Sequence, residues 1–100
     1  MIEKDKRNKL YEKAIERWGY KAQMRMAEEE SLEFAMAVHK DLRKTSIETS
    51  QNLIEEFADL EIMMEQVEVI YGGERFRTLV EIEKLKKLKR LKNRLGITNI

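Results

Sequence analysis

No proline interrupts this chain, and glycine occurs only four times in 100 residues. The two residues that most often stop a helix are thus nearly missing, and long helices can form almost anywhere. Cysteine is absent as well. That excludes disulfides and thiolate metal sites and fits a reducing, cytoplasmic setting. No apolar run approaches the roughly 18 residues needed to span a bilayer, so no membrane role is expected. The start, Met1-Ile2-Glu3-Lys4-Asp5, lacks the pattern of a signal peptide. His39 is the only histidine, and Val38 and Lys40 beside it cannot orient it as a base. No serine stands in a nucleophile context. Gly72-Gly73 follows a predicted helix and lacks the pattern of a phosphate loop.

What remains is 39% charged and 42% hydrophobic, a mixture that favours amphipathic helices over disorder. The length makes one domain, residues 1–100. Four helices are predicted, giving an all-α, four-helix bundle-like fold with short loops and an oligomeric state. The first covers about Asp5 to Arg17, with Leu10, Tyr11, Ala14, Ile15 and Trp18 as its stripe and Gly19 as breaker. The second covers about Tyr20 to Lys44, with Met26, Ala27, Phe34 and Ala37. Thr45 followed by Glu48 has the form of a capping box for the third helix. That helix, about Glu48 to Tyr71, is apolar on two sides. Leu53, Phe57, Leu60, Met64 and Val67 form one face; Ile54, Ala58, Ile62 and Val69 form the other. A second apolar face needs a second neighbour, which predicts a homodimer or homotetramer. Gly72-Gly73 precedes the fourth helix, Glu74 to Leu95, which ends at Gly96.

Carboxylates intrude on this apolar pattern. Glu29-Glu30-Ser31-Leu32-Glu33 and Glu55-Glu56-Phe57-Ala58-Asp59 each put two acids three residues apart on one helix face. Glu30 and Glu33 fall within the stripe meant for burial, where an unpaired charge costs several kcal/mol (order of magnitude). Two such helices face to face would gather Glu30, Glu33, Glu56 and Asp59. Four converging carboxylates become tenable with cations between them, and oxygen-only ligands suit Mg²⁺ or Mn²⁺. The plainer reading, a solvated acidic face, carries about equal weight for the residues alone.

Cations lie further along. Lys40 shares a helix face with Glu33, about 10 Å away along the axis, and can hold a phosphate or simply complement the helix dipole. Seven Lys or Arg crowd Lys84 to Arg94, a run that suits nucleic acid or, more plainly, a solvated face. Trp18 and Phe34 offer faces on which a base can stack, with core packing as the plainer role.

The run Trp18-Gly19-Tyr20-Lys21-Ala22-Gln23-Met24-Arg25-Met26-Ala27, leading into Glu29-Glu30-Ser31-Leu32-Glu33, resembles the opening of MazG-like nucleoside triphosphate pyrophosphohydrolases. The family pattern E-E-x-x-E followed by E-x-x-D is matched by Glu29, Glu30 and Glu33, then Glu56 and Asp59. The ending Lys87 to Leu95 is similar to the tail of short phage and Gram-positive members. The segment Thr45 to Gln51 holds no recognisable substrate determinant, and the first helix matches loosely. The resemblance implies a hydrolase that cleaves a nucleoside triphosphate to the monophosphate and pyrophosphate. It implies Glu30, Glu33, Glu56 and Asp59 as Mg²⁺ ligands, Glu29 as the residue orienting water or ligands, and Lys40, Arg90, Arg94 and Trp18 toward the nucleotide. The competing readings are a helical module binding nucleic acid through Lys84 to Arg94, which leaves the carboxylates unexplained, and an oligomerisation protein without a ligand.

Overall fold

A computed structural model describes residues 1–99, and among them it contains four α-helices and no strand. These are α1 (Lys4–Trp18), α2 (Tyr20–Arg43), α3 (Ile47–Ile70) and α4 (Glu74–Leu95). None is long and apolar enough to cross a membrane.

The junctions follow from local chemistry. One residue, Gly19, joins α1 to α2 at φ 86°, a conformation that side chains other than glycine rarely adopt. The capping box that starts α3 lies one residue beyond the predicted Thr45–Glu48 pair. Ser46 Oγ accepts from the Thr49 amide, and Thr49 Oγ1 accepts from the Ser46 amide. Thr49 prevails because its hydroxyl also donates to Asp41 Oδ1 at 2.8 Å, which ties the start of α3 to the end of α2. At the far end Gly96 is left-handed, and the Ile97 amide donates to the Lys92 carbonyl, closing α4.

The seam between α2 and α3 is the main contact, and α1 packs on both helices. Few side chains disappear into this body. Tyr11, Ala37 and Met63 are its buried apolar residues, and Gln23 and Gln66 are buried beside them. Gln23 Nε2 donates to Gln66 Oε1 at 2.7 Å, and Gln66 Nε2 approaches the Met63 sulfur. Each burial of an amide is thus matched by a partner. The predicted stripes are wider than the surface that is covered. Leu10 and Trp18 on α1 and Met26 on α2 stay exposed.

The fourth helix does not close the bundle. It meets α3 beside the Gly72-Gly73 turn, where Arg77 pairs with Glu68 and the rings of Tyr71 and Phe76 lie 5.9 Å apart. It does not approach α2, and none of its residues is buried. The radius of gyration is 16.7 Å, against about 13 Å for a compact chain of this length.

A polar lock fastens α1 to α3. Arg7 donates through Nε and Nη2 to the two oxygens of Glu65, both at 3.1 Å, and the Tyr11 hydroxyl donates to the same carboxylate. Burial pushes the Glu65 carboxyl up, but the hydrogen bonds from Tyr11 and Arg7 outweigh it and hold its pKa below the ordinary range. Burial, then the hydrogen bond to Glu65, pushes Tyr11 up to about 12. Tyr11→Phe is expected to lose about 1 kcal/mol in urea denaturation at fixed protein concentration and neutral pH. The lowered pKa of Glu65 makes its contribution present above the usual glutamate range and lost as pH falls through the folded value. The gap between wild type and variant is therefore expected to narrow below about pH 4.

Candidate functional site

The α2–α3 seam carries acid along one edge. Glu30 on α2 and Glu56 and Asp59 on α3 each present a carboxylate oxygen, and the three oxygens lie within 4.8 Å of one another. Glu30 and Glu56 are half-buried and Asp59 is exposed. Glu56 and Asp59 share a face because they are three residues apart. Glu30 meets them because α2 and α3 pack along their length. One turn further on, Phe34 sets its ring edge-on to Phe57, 5.6 Å between centroids, which fixes the rotation of both helices beside the carboxylates.

Electrostatics record the crowding. Burial raises the pKa of Glu30, and the charges of Asp59, Glu56, Glu33 and Glu29 raise it further. Three oxygens around one Mg²⁺ at ordinary bond lengths stand about 3 to 4.2 Å apart. The observed spread is therefore within a small side-chain rotation of that arrangement. The donor set is oxygen only, which suits a hard divalent cation.

The other sequence-predicted residues lie elsewhere. Glu33 stands outside the three-oxygen cluster. It is exposed and acts on Glu30 only through its charge, because α3 does not reach over it as it does over Glu30. Glu29 is exposed beside Glu30. Lys40 is exposed and makes no ion pair among the described residues. Trp18 is 61% exposed, with the Arg17 guanidinium 5.8 Å from its ring centroid. It precedes α2, and Glu30 lies about 15 Å further along that helix. Arg90 and Arg94 are exposed on the part of α4 that leaves the body. A single chain thus brings three carboxylates together and leaves the cationic and aromatic candidates apart from them. Two grooves of about 670 and 600 Å³ lie elsewhere and include none of the three carboxylates.

Sequence reasoning missed Glu65, which holds α1 against the body, and the buried Gln23–Gln66 pair. Both had a signal: a glutamine on the inner side of each of two facing helices, and an acid one turn beyond Glu61 opposite Arg7 and Tyr11. No family model, curated protein or solved structure matches this chain.

With no cation present the cluster costs stability. Because the folded pKa of Glu30 is raised, its stabilising share is complete below the usual glutamate pKa and is lost as pH rises through the folded value. Glu30→Gln mimics the protonated form. In EDTA at pH 7 it is expected to raise the urea midpoint, by on the order of 1 kcal/mol, and to change little at pH 4. An equal or lower midpoint at pH 7 would show that the carboxylates do not repel.

Proposed function

We propose that this protein is a Mg²⁺-dependent nucleoside triphosphate pyrophosphohydrolase of the MazG-like kind, acting as a homo-oligomer. The observation that carries the reading is the cluster of Glu30, Glu56 and Asp59 on two packed helices, oxygens within 4.8 Å. Carboxylates so close, in a setting that raises the pKa of one of them, suit a divalent cation better than they suit a solvated face. The E-E-x-x-E and E-x-x-D spacing of Glu29 to Asp59 supports the family.

In this reading Glu30, Glu33, Glu56 and Asp59 would hold Mg²⁺. Bound Mg²⁺ supplies charge neutralisation for the triphosphate and acidifies a water. The water's oxygen bonds to the α-phosphorus as the α–β anhydride bond breaks, and the bond's electron pair leaves with pyrophosphate. Glu29, free of other partners and beside Glu30, orients the water and takes its proton. Lys40 contacts phosphate. Trp18, Arg90 and Arg94 serve a nucleotide only from another copy, since a single chain keeps them apart from the carboxylates. Ile54 and Ile62, 62% and 45% exposed on α3, support such an assembly, because apolar side chains of this size favour a covered position.

The cationic end of α4 favours a second reading, nucleic-acid binding: Lys84 to Arg94 are nearly all exposed and make no ion pair with the first three helices among the described residues. The primary test is pyrophosphate release from individual nucleotides with and without Mg²⁺. Glu56→Gln and Asp59→Asn are each expected to cut the rate by about 100-fold or more, with helix content unchanged. Wild-type rates in both would remove them from the site. Replacing Arg90 and Arg94 together by Ala is expected to raise KM for the nucleotide. In the nucleic-acid reading the same change instead lowers the salt slope of DNA or RNA binding by about one per lost phosphate contact.

A further inference from the structure

The half of α4 from Lys84 to Leu95 leaves the body and joins two features. It is apolar along one side. Leu85, Leu88, Leu91 and Leu95, each between 47% and 62% exposed, form one strip with Ile97. From Leu85 to Leu95 that strip runs about 15 Å along the helix axis. The same half is also basic without relief, since seven Lys or Arg and no acid lie between Lys84 and Leu95. Lys84 and Lys86 pair with glutamates one turn back on their own helix, and the other five bases make no ion pair among the described residues. Lys89 and Lys92 line the leucine strip itself.

Whatever covers such a strip must be apolar where it meets the leucines and negative where it meets the lysines. A nucleic acid answers the lysines and leaves four leucines in water. A second α4 answers the leucines and sets Lys89 and Lys92 against their own copies. The surface of an anionic bilayer answers both, with phosphate headgroups at one level and acyl chains just beneath. We propose that the free half of α4 lies flat on an anionic lipid bilayer. Its leucines enter the boundary between headgroups and acyl chains, and Lys89 and Lys92 reach back along the strip to lipid phosphates. None of the four helices is apolar enough to cross a membrane, and none needs to, because a basic amphipathic helix lies in the interface plane. The remaining charge sets the orientation. Helices α2 and α3 together carry twelve acidic and four basic side chains, so an anionic surface repels the body while it attracts α4. By helical spacing Arg90 and Arg94 turn away from the leucine strip. The proposal uses neither them nor the three clustered carboxylates, so it stands or falls apart from the hydrolase reading.

Flotation of the whole chain with lipid vesicles tests it. The probes are vesicles of equimolar phosphatidylglycerol and phosphatidylcholine, and vesicles of phosphatidylcholine alone. The chain is expected to bind the anionic vesicles about 10-fold or more tightly than the neutral ones, and to lose about 10-fold between about 0.1 and about 0.5 M NaCl. Leu88→Ser with Leu91→Ser is expected to weaken the anionic binding by about 10-fold or more. The helical circular dichroism should be kept, since both leucines are exposed. Leu88→Trp adds a reporter to Trp18, and its emission is expected to shift to the blue on anionic vesicles and to be quenched by brominated acyl chains. Five outcomes would overturn the proposal. They are no flotation with anionic vesicles, equal binding to neutral ones, binding that survives the serine pair, an unshifted and unquenched Leu88→Trp, or a chain that binds a DNA duplex and does not float.

Discussion

Like charge held along a helix seam is the constraint on which the rest of this structure depends. Helices α2 and α3 cannot pack without bringing Glu30 up to Glu56 and Asp59. The fold tolerates this because the three acids stand at the edge of the seam, half-buried or exposed, and not beneath it. The interior of the same seam is occupied by Gln23, Ala37, Met63 and Gln66, which are neutral and, where polar, paired. Neutral amides inside and carboxylates at the rim give one pair of helices both a packed contact and an acidic edge.

The remaining fastenings compensate for a thin core. The Arg7–Tyr11–Glu65 lock holds α1, and the Asp41–Thr49–Ser46 network fixes the turn from α2 to α3. Each is polar, local and partly wet, so each contributes on the order of 1 kcal/mol. Among the described residues only three apolar side chains are buried, a thin core for a chain of 100 residues. The thin core and the exposed leucines of α4 go together, since α4 leaves the body that would otherwise cover them.

The helices were legible in the sequence because their punctuation is glycine. Gly19, Gly72-Gly73 and Gly96 all take positive φ where helices meet or end, and the absence of proline left no competing breaks. The acidic pairs were legible because their spacing is fixed by the helix. Glu33 was not, because periodicity places a residue on a face but does not say where the neighbouring helix leaves it. The bundle-like arrangement holds for three helices and not for the fourth, for a related reason. Leucines stepping by threes along α4 promise a covered face, yet they do not name the molecule that covers it. The shift of the capping box from Thr45 to Ser46 turned on Asp41, eight residues from Thr49, a contact made only once α2 and α3 are antiparallel.

Charge segregation along the chain has a physical consequence that spacing alone does not reveal. An acidic α2–α3 body and a basic α4 attract across molecules as readily as within one. Within one chain the Gly72-Gly73 turn sends α4 off α3, with the Gly73 amide bonded to the Glu68 carbonyl and Arg77 paired with Glu68. The leucines of α4 stay exposed along the part of the helix that leaves the body. A cation on Glu30, Glu56 and Asp59 would also lessen the acidity of the body, and so would reduce its pull on α4 while stabilising the seam.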